Sequence, residues 1–274
     1  DHLDYHKTFK NYIKAKKILF DDLGKNSYSI MNSDDKRANY VIQNTKSKVV
    51  TYGIKNISDF NAKVIESTGE GLILNFGTID VAFKIIGDFN AYNILAVYSL
   101  ANILNIDKNL ILEKLSELNT PSGRFDFLLG EKERIGIVDY AHTPDALENV
   151  LLNILKFKNN KKLITIVGAG GDRDKLKRPK MGKIATEYSD FVFFTSDNPR
   201  DENENNIISD IINGVSKDNY EVEIDRKKAI EMAFKRFNNN SIILVAGKGH
   251  EKYQVIGDKS LPHDDKEIIK KLIL

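Results

Sequence analysis

From Arg134 to the C-terminus the chain alternates short β-branched runs with helical stretches, and this alternation narrows the fold more than any other feature. RIGIVDY, KLITIV, FVFFT, YEVEI and SIILVAG read as strands, while residues 144–157, 179–188, 204–214, 226–237 and a segment from Asp265 read as helices. Strands joined by helix-length crossovers pair in parallel, so one sheet with helices on its faces is expected. Helix start signals agree: Thr143 precedes Pro144, and Asp225 and Asp264 stand where two further helices begin. This part of the chain is predicted to be an α/β domain.

A parallel sheet brings the C-terminal ends of its strands to one edge, where ligands of open α/β sheets bind. The segments at those ends are unusually polar: DYAHTPD (139–145), GAGGDRDKLKRP (168–179), SDNPRD (196–201), DRKK (225–228) and GKGHE (247–251). Helix caps and solvated turns explain many of these residues. They do not explain Arg173, Arg200, His250 and Glu251 together. Asp197, Asn198 and Arg200 offer a carboxylate, an amide and a guanidinium at the same edge, a set suited to a zwitterionic small molecule.

Several classes are disfavoured. GAGGDR is not a dinucleotide fingerprint, because Arg173 occupies the place of the last glycine in G-x-G-x-x-G. No G-x-x-x-x-G-K-[ST] occurs, so a triphosphate would need a loop from another segment. A net charge of +2 without a long basic block argues against nucleic-acid or membrane partners. Cysteine is absent, which removes disulfides and thiolate metal sites. No apolar run approaches the ~18 residues needed to cross a bilayer, and a cytoplasmic location is expected.

Residues 1–119 are less regular. A lysine-rich helix from Phe9 to Leu23 and short strands between Tyr28 and Ile85 precede a helical pair, in which Ile94, Leu95, Tyr98 and Ala101 recur at helical spacing and Asp107 caps the second helix. NTPSGRFD then punctuates the chain, so domains 1–119 and 120–274 are expected, with a hinge around Thr120 to Gly123. The start at Asp1, inside polar sequence, suggests that the first part of a longer protein is missing.

DHLDYH, GDFNAYN, SGRFD, VDYAHTPDAL, GAGGDRDKLKRPKMG, SDNPR and AGKGHE, in this order, resemble the Mur ligases of cell-wall synthesis, most of all the MurE-type branch that adds diaminopimelate. The resemblance implies the C-terminal part of a Mur ligase central ATPase domain followed by a Rossmann-like parallel-sheet C-terminal domain. It departs from the family in Ala169, where cysteine is common, and in lacking the family's GTNGKT phosphate loop and UDP-binding domain. The implied reaction is ATP-dependent: the D-glutamyl carboxylate of UDP-MurNAc-L-Ala-D-Glu becomes an acyl phosphate, and the amine of meso-diaminopimelate displaces phosphate.

Site residues follow from the same resemblance. His2 would be a magnesium ligand, and Lys16 would carry a carbamate that helps hold Mg2+, a hard ion that prefers oxygen donors. From the residues alone, a lysine in a lysine-rich amphipathic stretch is simply solvated. Asn90 and Asn93 would lie near adenine, although helix capping competes for Asn90. Arg124 would reach the ATP phosphates and Asp139 the ribose, while His142 is left without a role. Arg173, Asp197, Asn198, Arg200, Gly247 and Glu251 would bind the amino acid, and DNPR goes in this family with diaminopimelate-type substrates. A monomer is expected. Lysine or another diamino dicarboxylic acid as substrate, a non-catalytic amino-acid-binding module and the related folylpolyglutamate ligase remain open.

Overall fold

The computed structural model describes residues 6–273, and the chain divides into two compact units, Asp1–Asn119 and Thr120–Leu274.

The first unit opens with helix α1 (Phe9–Asp21), capped by Thr8. Strand β1 (Tyr28–Asn32), the short helix α2 (Ala38–Val41), β2 (Lys48–Gly53) and β3 (Phe60–Asn61) follow, and the three strands form a small parallel sheet in the order β1-β2-β3. A separate antiparallel meander is built from β4 (Lys63–Thr68), β5 (Gly71–Asn75) and β6 (Asp80–Phe83). Helices α3 (Asp88–Ile103) and α4 (Lys108–Ser116) close a core of Leu72, Leu74, Phe83, Ala91, Leu95, Ile111 and Leu115, the apolar face that their 3.6-residue period predicts. Asp107 caps α4 through Asn109 and Leu110 as the sequence suggests.

The second unit holds β7 (Asp126–Leu129), β8 (Ile135–Asp139), α5 (Pro144–Phe157), β9 (Lys162–Val167), α6 (Lys177–Tyr188), β10 (Phe191–Phe194), α7 (Glu204–Ile212), β11 (Tyr220–Val222), α8 (Arg226–Arg236), β12 (Ser241–Ala246), β13 (Tyr253–Ile256), β14 (Lys259–Pro262) and α9 (Asp265–Leu272). Six strands make one sheet in the order β11-β10-β9-β12-β8-β7. The five expected strands pair in parallel. Two elements differ from the sequence reading: β7 pairs antiparallel with β8 at one edge, and β13 and β14 form a separate hairpin. The middle strands β8, β9 and β12 are buried almost throughout, as continuous apolar runs covered on both faces must be.

The strand order positions the site. Connections from β8 through β11 run in one direction across the sheet, and the return to β12 reverses it. Right-handed crossovers then send α5, α6 and α7 to one face and α8 to the other. On that second face Ala229, Ile230, Ala233 and Phe234 of α8 and Ile269 of α9 pack on Val138, Ile164, Ile166, Ile243 and Val245. At the C-terminal strand ends the loops after β9, β10 and β12 pack against one another: a Cβ on Gly171 would meet the Pro199 carbonyl, and one on Gly247 the Asp197 carboxylate.

Candidate functional site

Five strand-end loops lie along this edge of the sheet. Asp139, the last residue of β8, is 7% exposed, and its two carboxylate oxygens accept from the amides of Phe125 and Ala141 at 2.7 and 2.8 Å. Burial nonetheless raises its carboxyl above the usual value. Asp139 thereby anchors the turn that presents Arg124, whose exposed guanidinium lies 4.9 Å from the centre of the Tyr140 ring. Gly123, at φ +70°, runs so close to Gly249 and His250 that a Cβ would stand 2.1 Å from the His250 nitrogen.

The Tyr140 ring also packs edge-on against His142, with centroids 4.7 Å apart. His142 Nδ1 is 2.8 Å from the Tyr140 carbonyl oxygen, and the Lys177 ammonium donates to the His142 carbonyl at 2.9 Å. Burial, with Lys177 nearby, lowers the imidazole below its ordinary value, so His142 favours the neutral form. Burial likewise lowers Lys177, against the opposing charges of Asp197 and Asp174.

The DNPR turn and the GKGHE loop interlock. Asn198 Nδ2 donates to Glu251 Oε2 at 2.9 Å, while Asn198 Oδ1 accepts from the Lys248 ammonium at 2.8 Å and from the Val255 amide at 2.9 Å. Both ends of the Asn198 amide are therefore engaged, and its orientation is fixed by its partners. Asp197 is 6% exposed, and among the described residues its carboxylate accepts no hydrogen bond. Arg200, at φ +52°, donates Nη1 to the Gly171 carbonyl at 2.7 Å. Its Nε and Nη2 make no hydrogen bond among the described residues. Arg173 is exposed and donates to the Asp172 carbonyl at 3.2 Å. The edge thus carries, at Asp197, a carboxylate that accepts no hydrogen bond among the described residues, and two guanidiniums with donors to spare.

Beneath this layer are cations that the loop sequences do not single out. Arg178 is wholly buried and grips Glu202 through both terminal nitrogens at 3.0 and 2.8 Å, with Asp210 at 2.8 Å and the Gly170 carbonyl at 3.2 Å. It holds the glycine loop in place. Arg226, also buried, forms a two-pronged pair with Asp265 at 2.9 and 2.8 Å and reaches the Ala246 carbonyl at 3.0 Å. Lys248 completes the set, and the one sequence signal for it is its place between two glycines that open the strand-end loop.

In the first unit, α3 begins after Gly87, so Asn90 is not its cap. The buried Asn90 amide instead donates to the Ile86 carbonyl at 2.8 Å and accepts from Asn93 at 2.8 Å, which leaves the exposed Asn93 presented by Asn90. Lys16 is exposed on α1 with its ammonium 4.9 Å from the Tyr12 ring centre. Its neighbour Lys17 is the buried one, paired with Asp21 at 2.5 Å. His2 lies outside the described residues. Among those residues there is no group of three or more His, Cys, Asp or Glu that could hold a metal ion.

The Mur ligase middle domain matches residues 1–101, and the Mur ligase glutamate ligase domain matches residues 123–249, so the two cover most of the chain. The chain belongs to the Mur ligase family. A curated relative, the UDP-N-acetylmuramoyl-L-alanyl-D-glutamate--2,6-diaminopimelate ligase of Cytophaga hutchinsonii, is 48% identical over 276 residues, which span 100% of this chain and 57% of that protein. A solved structure bearing the same enzyme name aligns at TM-score 0.63 and 31% identity, over 100% of this chain and 58% of the other. The Thermotoga maritima MurF ligase in complex with ADP shares the fold at TM-score 0.69 and 17% identity, over 89% of this chain and 55% of its own. The chain thus spans a little over half the length of the Mur ligases it matches.

For a Mur ligase this edge has a chemical logic. Donors with fixed geometry, such as the Arg200 fork, select a carboxylate by shape as well as charge. A carboxylate that accepts no hydrogen bond among the described residues, as at Asp197, keeps its lone pairs open to a donor. No helix of the described residues is long and apolar enough to cross a membrane.

Proposed function

We propose that the protein containing this chain is an ATP-dependent amide ligase that joins meso-diaminopimelate to UDP-MurNAc-L-Ala-D-Glu in peptidoglycan precursor synthesis. The observation that carries this reading is the combination, on one strand-end edge, of Arg200 tied to Gly171 by Nη1 alone and Asp197 buried with no hydrogen bond to its carboxylate. Diaminopimelate carries an ammonium and a carboxylate beyond its reacting amine. Arg200, with Arg173 beside the same glycine loop, grips the distal carboxylate; Asp197 and Glu251 receive the ammonium. Asn198 and Gly247 hold these groups in register. The curated relative's name contains the same diamino acid.

ATP transfers its γ-phosphoryl group to the D-glutamyl carboxylate, forming a carboxyl–phosphate bond. The uncharged amine of diaminopimelate then attacks the acyl carbon, and inorganic phosphate departs as the amide forms. Arg124 serves the phosphates, and Asp139 serves the ribose end by fixing the Arg124–Phe125 turn. Asn90 positions Asn93 toward adenine. Holding the amine in line with the acyl carbon is the largest contribution open to such a site. Magnesium, with His2 and a Lys16 carbamate as its ligands, belongs to this reading by resemblance to the family, and none of these side-chain roles depends on it.

Calorimetric titration with meso-diaminopimelate and with L-lysine tests the reading. Lysine lacks the distal carboxylate, so Arg200 would be left unpaired, and lysine is expected to bind at least about 100-fold more weakly. Equal binding of the two would remove Arg200 from the specificity argument, and tight binding of lysine alone would overturn the substrate.

A further inference from the structure

We infer that Lys248 is the positioning residue of the amino-acid subsite, holding Glu251 so that one carboxylate oxygen is kept for the ammonium of the incoming substrate. This rests on the reading of Glu251 as a ligand of the diamino acid.

Lys248 is 0% exposed, and the two glycines that flank it are buried as well. An ammonium wholly out of water persists only where acceptors replace its hydration. Its acceptors are the two residues at the heart of the proposed subsite, Asn198 Oδ1 at 2.8 Å and Glu251 Oε2 at 3.1 Å, with the Tyr253 ring centre 5.8 Å away. Asn198 Nδ2 converges on the same Oε2 at 2.9 Å. Oε2 is therefore saturated by two donors. Oε1 has only the Tyr140 hydroxyl, at a long 3.4 Å.

The asymmetry follows from Lys248. Being acceptor-free, it can bind only the oxygens of Asn198 and Glu251, so it also settles which end of the Asn198 amide faces Glu251. The carboxylate plane is pinned through Oε2, and Oε1 is the oxygen with lone pairs to offer. The charge acts in the same sense: burial raises the Glu251 carboxyl, but the Asn198 hydrogen bond and the Lys248 charge outweigh it, and the net shift is downward. Glu251 stays ionised and correctly turned before substrate arrives.

The test is a double-variant cycle in the full-length ligase with meso-diaminopimelate as varied substrate: Glu251→Gln, Lys248→Met and both together. Each single variant is expected to raise KM for meso-diaminopimelate by roughly tenfold, the loss of about one charge-assisted hydrogen bond. KM for ATP is expected to stay unchanged, and the double variant should be no worse than the poorer single one. In Lys248→Met the acid limb of kcat/KM for meso-diaminopimelate should move to higher pH, which a purely structural lysine would not cause. An unchanged or lower KM in Lys248→Met, or effects that multiply in the double variant, would overturn the inference while the subsite stands. If Glu251→Gln leaves KM untouched, the subsite reading itself fails and the inference goes with it. Lys248→Gln, which keeps a neutral donor in the same slot, carries the same comparison should the methionine variant not fold.

Discussion

Gly247 and Asp197 meet so closely that a Cβ on Gly247 would lie 2.4 Å from the Asp197 carboxylate, and Gly247 holds φ at +116°. No L side chain occupies that position without moving the carboxylate or the loop. Gly247→Ala is therefore expected to destabilise the fold by about 1–3 kcal/mol and to weaken diamino-acid binding by displacing Asp197. Urea unfolding and calorimetry measure the two effects. Wild-type behaviour in both would mean that neither the backbone conformation nor the carboxylate position matters.

Asn198 ties three segments together, since its side chain bonds Lys248, Glu251 and the amide of Val255 in the hairpin. Asn198→Ala removes the acceptor of the Val255 amide. Hydrogen exchange at Val255 is expected to speed up about tenfold, the equivalent of ~1.4 kcal/mol, while the β9 amides keep their protection. Unchanged exchange at Val255 would show that the hairpin is held by Arg200, whose amide donates to the Val255 carbonyl at 3.1 Å.

The parallel sheet is legible because short, continuous apolar runs alternate with helical stretches, and the helix starts at Pro144, Glu204 and Arg226 fall where the sequence places them. Strand β7 escaped notice because DFLL is short and pairs at an edge. The β13–β14 hairpin escaped because its residues are largely exposed and show no apolar alternation. Loop membership can be read from strand ends, and the structure puts Asp197, Arg200 and Glu251 on one edge of the sheet. What Asn90 and Asn198 bond to could not, since that depends on partners such as Ile86 and Val255 that only the folded chain brings near. Arg226 and Asp265 lie 39 residues apart, and no local pattern links them.

Glu202 supplies a pH-dependent part of the stability. The Arg178 hydrogen bonds outweigh burial and pull its carboxyl from the ordinary 4.5 down to about 2. A carboxyl depressed in the folded state stabilises above its unfolded value, and that contribution is lost as pH falls through the folded one. The glycine loop is thus expected to lose support between pH 4.5 and about 2. Glu202→Gln should be less stable than wild type at neutral pH and should close the gap on acidification through this window. Urea midpoints measured across the range would show a constant gap if Glu202 carried no such linkage.

Arg226 and Asp265 form a pair in which both side chains are 0% exposed, with His263 Nε2 2.8 Å from Asp265 Oδ1. Arg226 Nη2 also holds the Ala246 carbonyl, the residue before Gly247, and Nη1 is buried without a partner. A pair so placed contributes little net stability, because desolvation offsets its attraction, yet removal of one partner strands a charge in the interior. Arg226→Met is accordingly expected to destabilise by about 3–5 kcal/mol, and Arg226→Met with Asp265→Leu should recover most of that loss. Urea unfolding of the two variants measures this, and a double variant no better than the single would show that the pair is net stabilising. If stability recovers while diamino-acid binding does not, the role of Arg226 is to fix the Ala246 carbonyl beneath Gly247 and Asp197 rather than to hold α8 to α9.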